Sequence, residues 1–287
     1  MNRSSTLASY SARIEKVVAF ISTRLDQPLT LAQLAEAGHF SPYHFHRVYS
    51  GLMGETVANT VRRLRLHRAA SELLGSDRGI AAIARHAGYG SVSAFSRAFA
   101  NTYRCAPAAF RKRRVVLPAE GPGRATPSSQ EPSMYSAQIN TFVPTRVVAL
   151  PHQGDYMQIG ETFGRLMAWA GERDLLQPGT RSFGIYYDVP AATPKDELRS
   201  DACLALPADT PLADGMRWLE IAGGRHAVVV HTGPYTELDR AYDWLFCQWL
   251  PNSFEEAGNA PVFEEYLNDP GSLPPAEWRT AICLPLK

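Results

Sequence analysis

The chain has 287 residues, 45% hydrophobic and 20% charged, enough for two domains that each bury a core, which excludes a short peptide or wholesale disorder. It contains no run of 18 apolar residues, so no membrane span is expected, and its first residues, MNRSSTLASYSARIEK, lack the apolar centre of a secretory signal. The net charge of +1 conceals an asymmetry: residues 1–114 carry 17 Lys/Arg against 6 Asp/Glu, and residues 115–287 carry 12 against 22. A basic module suits a polyanion such as nucleic acid, and an acidic one has another task. The four cysteines, Cys105, Cys203, Cys247 and Cys283, are too scattered for a CxxC pair and point to a reducing cytoplasm.

From the N-terminus the apolar pattern is helical, with Ile14, Val17, Val18, Ile21 and Leu25 at three- and four-residue spacing. A repeat follows: LAQLAEAGHFSPYHFHRVY (31–49) matches IAAIARHAGYGSVSAFSRAF (80–99), pairing Leu34 with Ile83, Phe40 with Tyr89, Phe45 with Phe95 and Arg47 with Arg97. Each copy predicts a short helix, a tight turn through Gly38 or Gly88, and a second helix, which is a helix-turn-helix unit. Thr30 with Gln33 predicts a capping box, and Ser41 with Pro42 predicts the start of the next helix. Between the copies, TVANTVRRLRLHRAASELLG predicts one long connecting helix that stops at Gly75.

A helix that enters the major groove turns its apolar face to its own domain and presents polar or basic side chains outward. With Phe45, Val48 and Tyr49 inward, the first unit leaves Tyr43, His46 and Arg47 for DNA. With Phe95, Ala98 and Phe99 inward, the second leaves Val92, Ser93, Ser96 and Arg97. Arg62, Arg63, Arg65 and Arg68 on the connector, and Arg111 to Arg114 after it, suit phosphates. His39, His44 and His46 resemble a metal cluster, but His44 and His46 are two apart on a helix and point apart, so no metal site is expected.

LPAEGPGRATPSSQEPS, from Leu117 to Ser133, has no apolar period and reads as a linker. The expected organisation is therefore an all-α double helix-turn-helix domain (1–114), a linker (115–133) and an α+β domain (134–287). The last contains a second repeat at an offset of 79 to 80 residues, pairing His152 with His231, Gly154 with Gly233, Tyr156 with Tyr235, Phe163 with Tyr242, Phe183 with Phe263, Tyr186 with Tyr266 and Cys203 with Cys283. Each copy predicts strand, Gly turn, helix, strand, strand, and two such pseudo-symmetric units leave a cleft at their seam. Strand alternation puts Phe183, Ile185 and Phe263 under the helices and groups Gly184, Tyr186, Glu264 and Tyr266 on the opposite, open face. Aromatic walls around one carboxylate attract a flat or cationic organic ligand, and Trp169, Tyr156 and Tyr235 complete the site. His152 and His231 are expected to support the Gly turns, with no nucleophile beside them and no HExxH or phosphate-cradling glycine loop in the chain, so no catalytic residue or cofactor is assigned.

Residues 10–112, through GYGSVSAFSRAF and the closing APAAFRK with Pro107, Phe110 and Arg111, resemble the AraC/XylS transcription regulators. The resemblance implies two helix-turn-helix units joined by one helix, with Arg104 standing where that family usually has Gly. Residues 134–287, through HQGDY, LMAWA, GIYYDVP, HTGPY, WLP, FEEYLNDP and TAICLPLK, are similar to the GyrI-like effector-binding domain. That resemblance implies a small-molecule groove with Glu264 in it and bulky lipophilic cations as ligands, while Glu265 occupies a position that is usually apolar. The expected protein is a cytoplasmic, non-enzymatic transcription regulator whose partners are double-stranded promoter DNA, a small-molecule effector and RNA polymerase. The alternatives are a small-molecule hydrolase or a drug-sequestering protein built on the same groove.

Overall fold

The computed structural model describes residues 4–113 and 135–287, so the linker expected over 115–133 lies outside the described residues. Two compact units emerge: residues 4–8 and Ser41–Val48 belong to the same unit as the C-terminal part of the chain, while Ser9–Phe40 and the helical residues from Tyr49 onward form the other. No helix among the described residues is long and apolar enough to cross a membrane.

The helical part contains α1 (Ser4–Ser22), α2 (Leu31–Ala37), α3 (Phe45–Met53), α4 (Val57–Gly75), α5 (Ile80–His86), α6 (Val92–Tyr103) and α7 (Pro107–Arg113). The capping box at Thr30 forms as its sequence predicts, and Thr56 caps the long helix α4 through its side chain. Ser41 does not cap with its side chain: residues 42–44 make a turn and α3 begins at Phe45, whose N–H donates to the Ser41 carbonyl. The second unit packs α4, α5, α6 and α7 around Leu66, Leu73, Ile83, Phe95, Phe99 and Phe110. Phe95 and Phe99 are fully buried, and each contributes about 1.5–3 kcal/mol of apolar burial.

The tight turns differ from their predicted form. Gly88 has a φ of +75°, but the residue in the matching left-handed position of the first unit is His39, at φ 54°, while Gly38 has an ordinary φ of −94°. Gly38 is required by packing instead, since a Cβ there would lie 2.6 Å from the Phe40 ring. Arg104 ends α6 with a φ of 57°, so the turn that the AraC/XylS resemblance gives to glycine is kept with an L-residue in it. Arg104→Gly relieves that clash and should stabilise the helical part by about 1 kcal/mol. Thermal melts followed by far-UV circular dichroism check this; an unchanged or lowered first transition would contradict it.

Several arginines expected on phosphates are tied into the fold. Arg65 donates from Nε to the Leu25 carbonyl at 2.8 Å and from Nη2 to the Gln27 carbonyl at 2.8 Å. Arg63 pairs with Glu55 at 2.7 Å, Arg68 donates to the His86 carbonyl, and Arg111 donates to the Leu73 carbonyl at 3.3 Å and the Arg78 carbonyl at 2.5 Å. A guanidinium satisfies buried carbonyls as readily as phosphates, and sequence alone does not separate the two uses.

The C-terminal part is one eight-stranded antiparallel sheet with helices on one face. Its elements are β1 (Ala137–Phe142), β2 (Thr145–Gln153), α8 (Ile159–Gly171), β3 (Ser182–Tyr186), β4 (Arg199–Leu204), β5 (Arg217–Ile221), β6 (Gly224–Thr232), α9 (Leu238–Asp243), β7 (Val262–Tyr266) and β8 (Arg279–Pro285). A π-helical stretch, Trp244–Trp249, and a last turn, Leu250–Asn252, continue α9. The strand order β1-β6-β8-β7-β3-β4-β2-β5 places β3 and β7 side by side at the centre, with Gly184 opposite Glu264. Each expected repeat is present and gains a leading strand, β1 or β5, that pairs with the second strand of the other repeat.

The faces are reversed relative to the sequence expectation. Phe183, Ile185 and Phe263 are buried with Cys203, Cys283 and Val147 on the face away from the helices. Tyr186 packs on the helix side with Leu166, Trp169 and Ala202. Gly184, Tyr186, Glu264 and Tyr266 do share one face, as the period of two requires, but it is the face that α8 and α9 cover. Glu265 faces the other way, and Arg181 grips it with two bonds of 2.7 and 2.9 Å, which is how the fold accommodates a carboxylate at that position.

Candidate effector groove and DNA-reading surface

The groove has β3 and β7 as its floor and α8 and α9 as its walls. At its centre Glu264 is 4% exposed. Its Oε1 accepts from the Tyr242 hydroxyl at 2.9 Å, and its Oε2 accepts from the Tyr266 hydroxyl at 3.2 Å. The Tyr266 and Tyr186 hydroxyls are 2.8 Å apart, so three phenols and one carboxylate form a connected polar network in an aromatic setting. Gly184 makes this possible: a Cβ there would come within 2.7 Å of the Tyr266 hydroxyl and 2.9 Å of Tyr186.

Burial pushes the Glu264 carboxyl up to about 7, with the hydroxyls of Tyr242 and Tyr266 and the charge of Arg47 pulling the other way. Burial also holds Tyr186, Tyr242 and Tyr266 well above the usual phenol range, so all three remain hydrogen-bond donors at neutral pH. The Glu264 carboxyl therefore holds its proton to a higher pH than an exposed glutamate does, and a cation bound beside it would favour the ionised form.

Tyr156 and Tyr235 border the groove as expected. The Tyr156 hydroxyl receives the Asp188 N–H at 3.0 Å and reaches the Arg199 carbonyl at 2.9 Å, and its ring meets Tyr186 edge-on with centroids 4.8 Å apart. The Tyr235 ring lies 5.6 Å from Tyr266 and 4.6 Å from Trp278. Trp169 departs from expectation: it faces the core beneath α8, 8% exposed, and is not among the groove-lining residues. The groove also uses Phe163, Met167 and Tyr242, none assigned to a site from sequence, and Arg47, which the sequence pattern assigns to DNA. Tyr242 was legible in principle, because it aligns with Phe163 in the repeat and adds a hydroxyl at the position that reaches Glu264.

On the DNA side, Ser91 caps α6 through its side chain and Val92, Ser93 and Arg97 are exposed, with Ser96 half-buried. In the first unit Tyr43 and Arg47 are half-buried and His46 is 5% exposed, so the outward orientation expected for His46 is not the one observed. His44 is also buried, and burial lowers it to about 4, which keeps its ring neutral. No group of three or more His, Cys, Asp or Glu among the described residues has the arrangement to hold a metal ion. All four cysteines are free thiols.

A family model described as GyrI-like small molecule binding domain matches residues 136–287, and a helix-turn-helix domain model matches residues 34–113. The chain is 32% identical over 132 residues to a DNA gyrase inhibitor of Erwinia billingiae, an overlap of 44% of this chain and 80% of that protein. It is 31% identical over 105 residues to regulatory protein SoxS of Escherichia coli strain K12, covering 37% of this chain and 98% of that protein. Among solved structures it is similar to the C-terminal domain of EcmrR, with a TM-score of 0.44 and 20% identity over 54% of this chain and 99% of the other.

Proposed function

The chain belongs to the GyrI-like small-molecule-binding family and carries an AraC-type helix-turn-helix half ahead of that domain, and on this premise we propose a ligand-modulated transcription regulator whose effector is an aromatic organic cation. The observation that carries the ligand class is Glu264, a buried carboxylate held by two phenol hydroxyls at the floor of an aromatic groove. A buried carboxylate is stable only when protonated, hydrogen-bonded or paired with a cation, and aromatic walls favour a cation that is large and weakly hydrated. The reader occupies 1–114 and the sensor 134–287, joined through 115–133. Within the reader, Val92, Ser93, Ser96 and Arg97 approach base edges from α6, and Tyr43 and Arg47 do so from the segment that opens α3. RNA polymerase contacts in the cytoplasm complete the same proposal.

The test is Glu264→Gln in the full chain, which keeps the shape and removes the charge. Affinity for tetraphenylphosphonium should fall about tenfold or more, while the neutral triphenylphosphine oxide should lose no affinity. Tryptophan fluorescence reads both titrations, because all five tryptophans lie in the C-terminal part. Equal affinity of wild type and variant for the cation would remove Glu264 from the binding site. A hydrolase would instead convert its ligand, so recovery of the ligand unchanged after a ligand-dependent shift in DNA affinity separates the two classes.

A further inference from the structure

We propose that Arg47 is an internal occupant of the effector groove, so that a cationic effector competes with Arg47 for the same aromatic and carboxylate surface and releases the start of the first DNA-reading helix. The proposal rests on the cation reading of the groove given above.

Ser41–Val48 lies in the same compact unit as the sensor residues. The Arg47 guanidinium carbon sits 4.2 Å from the centroid of the Tyr242 ring and 5.7 Å from that of Phe246. Both rings line the groove together with Glu264, and Tyr43 and Arg47 line it too. Tyr242 is also the residue whose hydroxyl donates to Glu264, so the ring beneath the guanidinium and the hydrogen bond to the carboxylate are parts of one side chain. A guanidinium stacked on an aromatic face near a buried carboxylate supplies the three things the groove would seek in a ligand: flatness, positive charge and weak hydration.

The neighbouring residue fixes the segment in place. His44 is 1% exposed, its Nε2 is 3.1 Å from the Ala260 carbonyl oxygen, and its ring lies 5.6 Å from Phe246. A buried neutral histidine with a backbone partner is a docking contact, which places Arg47 three residues along at the groove.

One guanidinium cannot pair with a guanine edge and lie on Tyr242 at the same time. Occupation of the groove by Arg47 and base contact by Arg47 are therefore mutually exclusive, and linkage makes the effect reciprocal: whatever displaces Arg47 from the groove favours DNA binding, and DNA binding favours effector entry.

Two titrations test this on the full chain. The first measures affinity for a duplex selected from random sequence by the wild-type chain, with no ligand present. Glu264→Gln weakens the hold on Arg47 and should tighten DNA binding at least threefold. Tyr242→Leu, which removes the ring under Arg47 and leaves Glu264 in place, should act in the same direction. The second measures tetraphenylphosphonium binding without DNA, where Arg47→Ala should empty the groove and tighten the probe about tenfold. DNA affinity unchanged in both groove variants overturns the competition, as does equal probe affinity in wild type and Arg47→Ala. Absence of probe binding in every chain, with DNA still tightened by the groove variants, leaves Arg47 as the occupant and sinks only the assignment of the effector as a cation.

Discussion

Between pH 8 and pH 6 the affinity of the full chain for tetraphenylphosphonium should fall about tenfold, and Glu264→Gln should abolish most of that dependence. The cause is the position of the Glu264 carboxyl, which burial raises to about 7. A cation pairs with the ionised form, so the proton competes with it, and the loss steepens as the pH drops below that value. The groups that face Glu264 are the hydroxyls of Tyr242 from α9, Tyr186 from β3 and Tyr266 from its own strand, together with Tyr235 and Arg47; the four phenols stay neutral throughout this range. Stability has the opposite sign. The folded form holds the proton up to about 7 and the unfolded form only to the ordinary glutamate range, so the folded state binds more protons between the two values. The stabilisation from protonated Glu264 is fully present below the unfolded value and is lost as pH rises through the folded one, by up to about 3 kcal/mol in total. Urea unfolding of wild type and Glu264→Gln at several pH values isolates this contribution from that of the histidines. A difference between the two chains that does not change with pH would place the carboxyl near its ordinary range and contradict the prediction.

Phe183→Ala should cost the sensor about 3–5 kcal/mol. Phe183 is 1% exposed, with its ring centroid 6.0 Å from that of Phe263, in a cluster on the face of the sheet away from α8 and α9. Truncation leaves a cavity among strand residues that the sheet geometry prevents from collapsing. Double-mutant cycles then locate the residue. Phe183→Ala and Phe263→Leu should be coupled by about 0.5–1.5 kcal/mol, whereas Phe183→Ala and Leu166→Ala, the latter on the sheet-facing side of α8, should be additive. Coupling to Leu166 without coupling to Phe263 would return Phe183 to the helix side.

That comparison marks the boundary of what was legible in the sequence. The two repeats, the capping box at Thr30, the long connecting helix and the grouping of Gly184, Tyr186, Glu264 and Tyr266 on one face were all readable, because each follows from a local pattern or from self-similarity. Which face the helices cover was not. A period of two sorts side chains into two sets and carries no sign, and here both sets are largely buried, with Phe183 and Ile185 in one and Gly184 and Tyr186 in the other. Trp169 was misplaced for a related reason, since a helix that walls a groove has apolar side chains both against the sheet and along the groove. The edge strands β1 and β5 were missed because AQINTF and RWLEI are short, β1 being largely exposed and β5 only partly covered. Arg65 looked like a phosphate ligand because its carbonyl partners, Leu25 and Gln27, are set by tertiary structure.

The exchange of edge strands sets an order of events during synthesis. β1 follows soon after the helical half but pairs with β6, which is made more than eighty residues later, while β5 returns to β2. The first repeat thus leaves the ribosome with its leading strand unpaired and its central strand β3 lacking β7 beside it. The second helix-turn-helix unit, α4 to α7, draws its core from residues close in sequence and can fold before that point, whereas the sensor can close only when β8 has joined β6 to β7. Nascent chains therefore pass through a stage in which the helices of the second unit have their core partners while the edges of β1 and β3 are still unpaired.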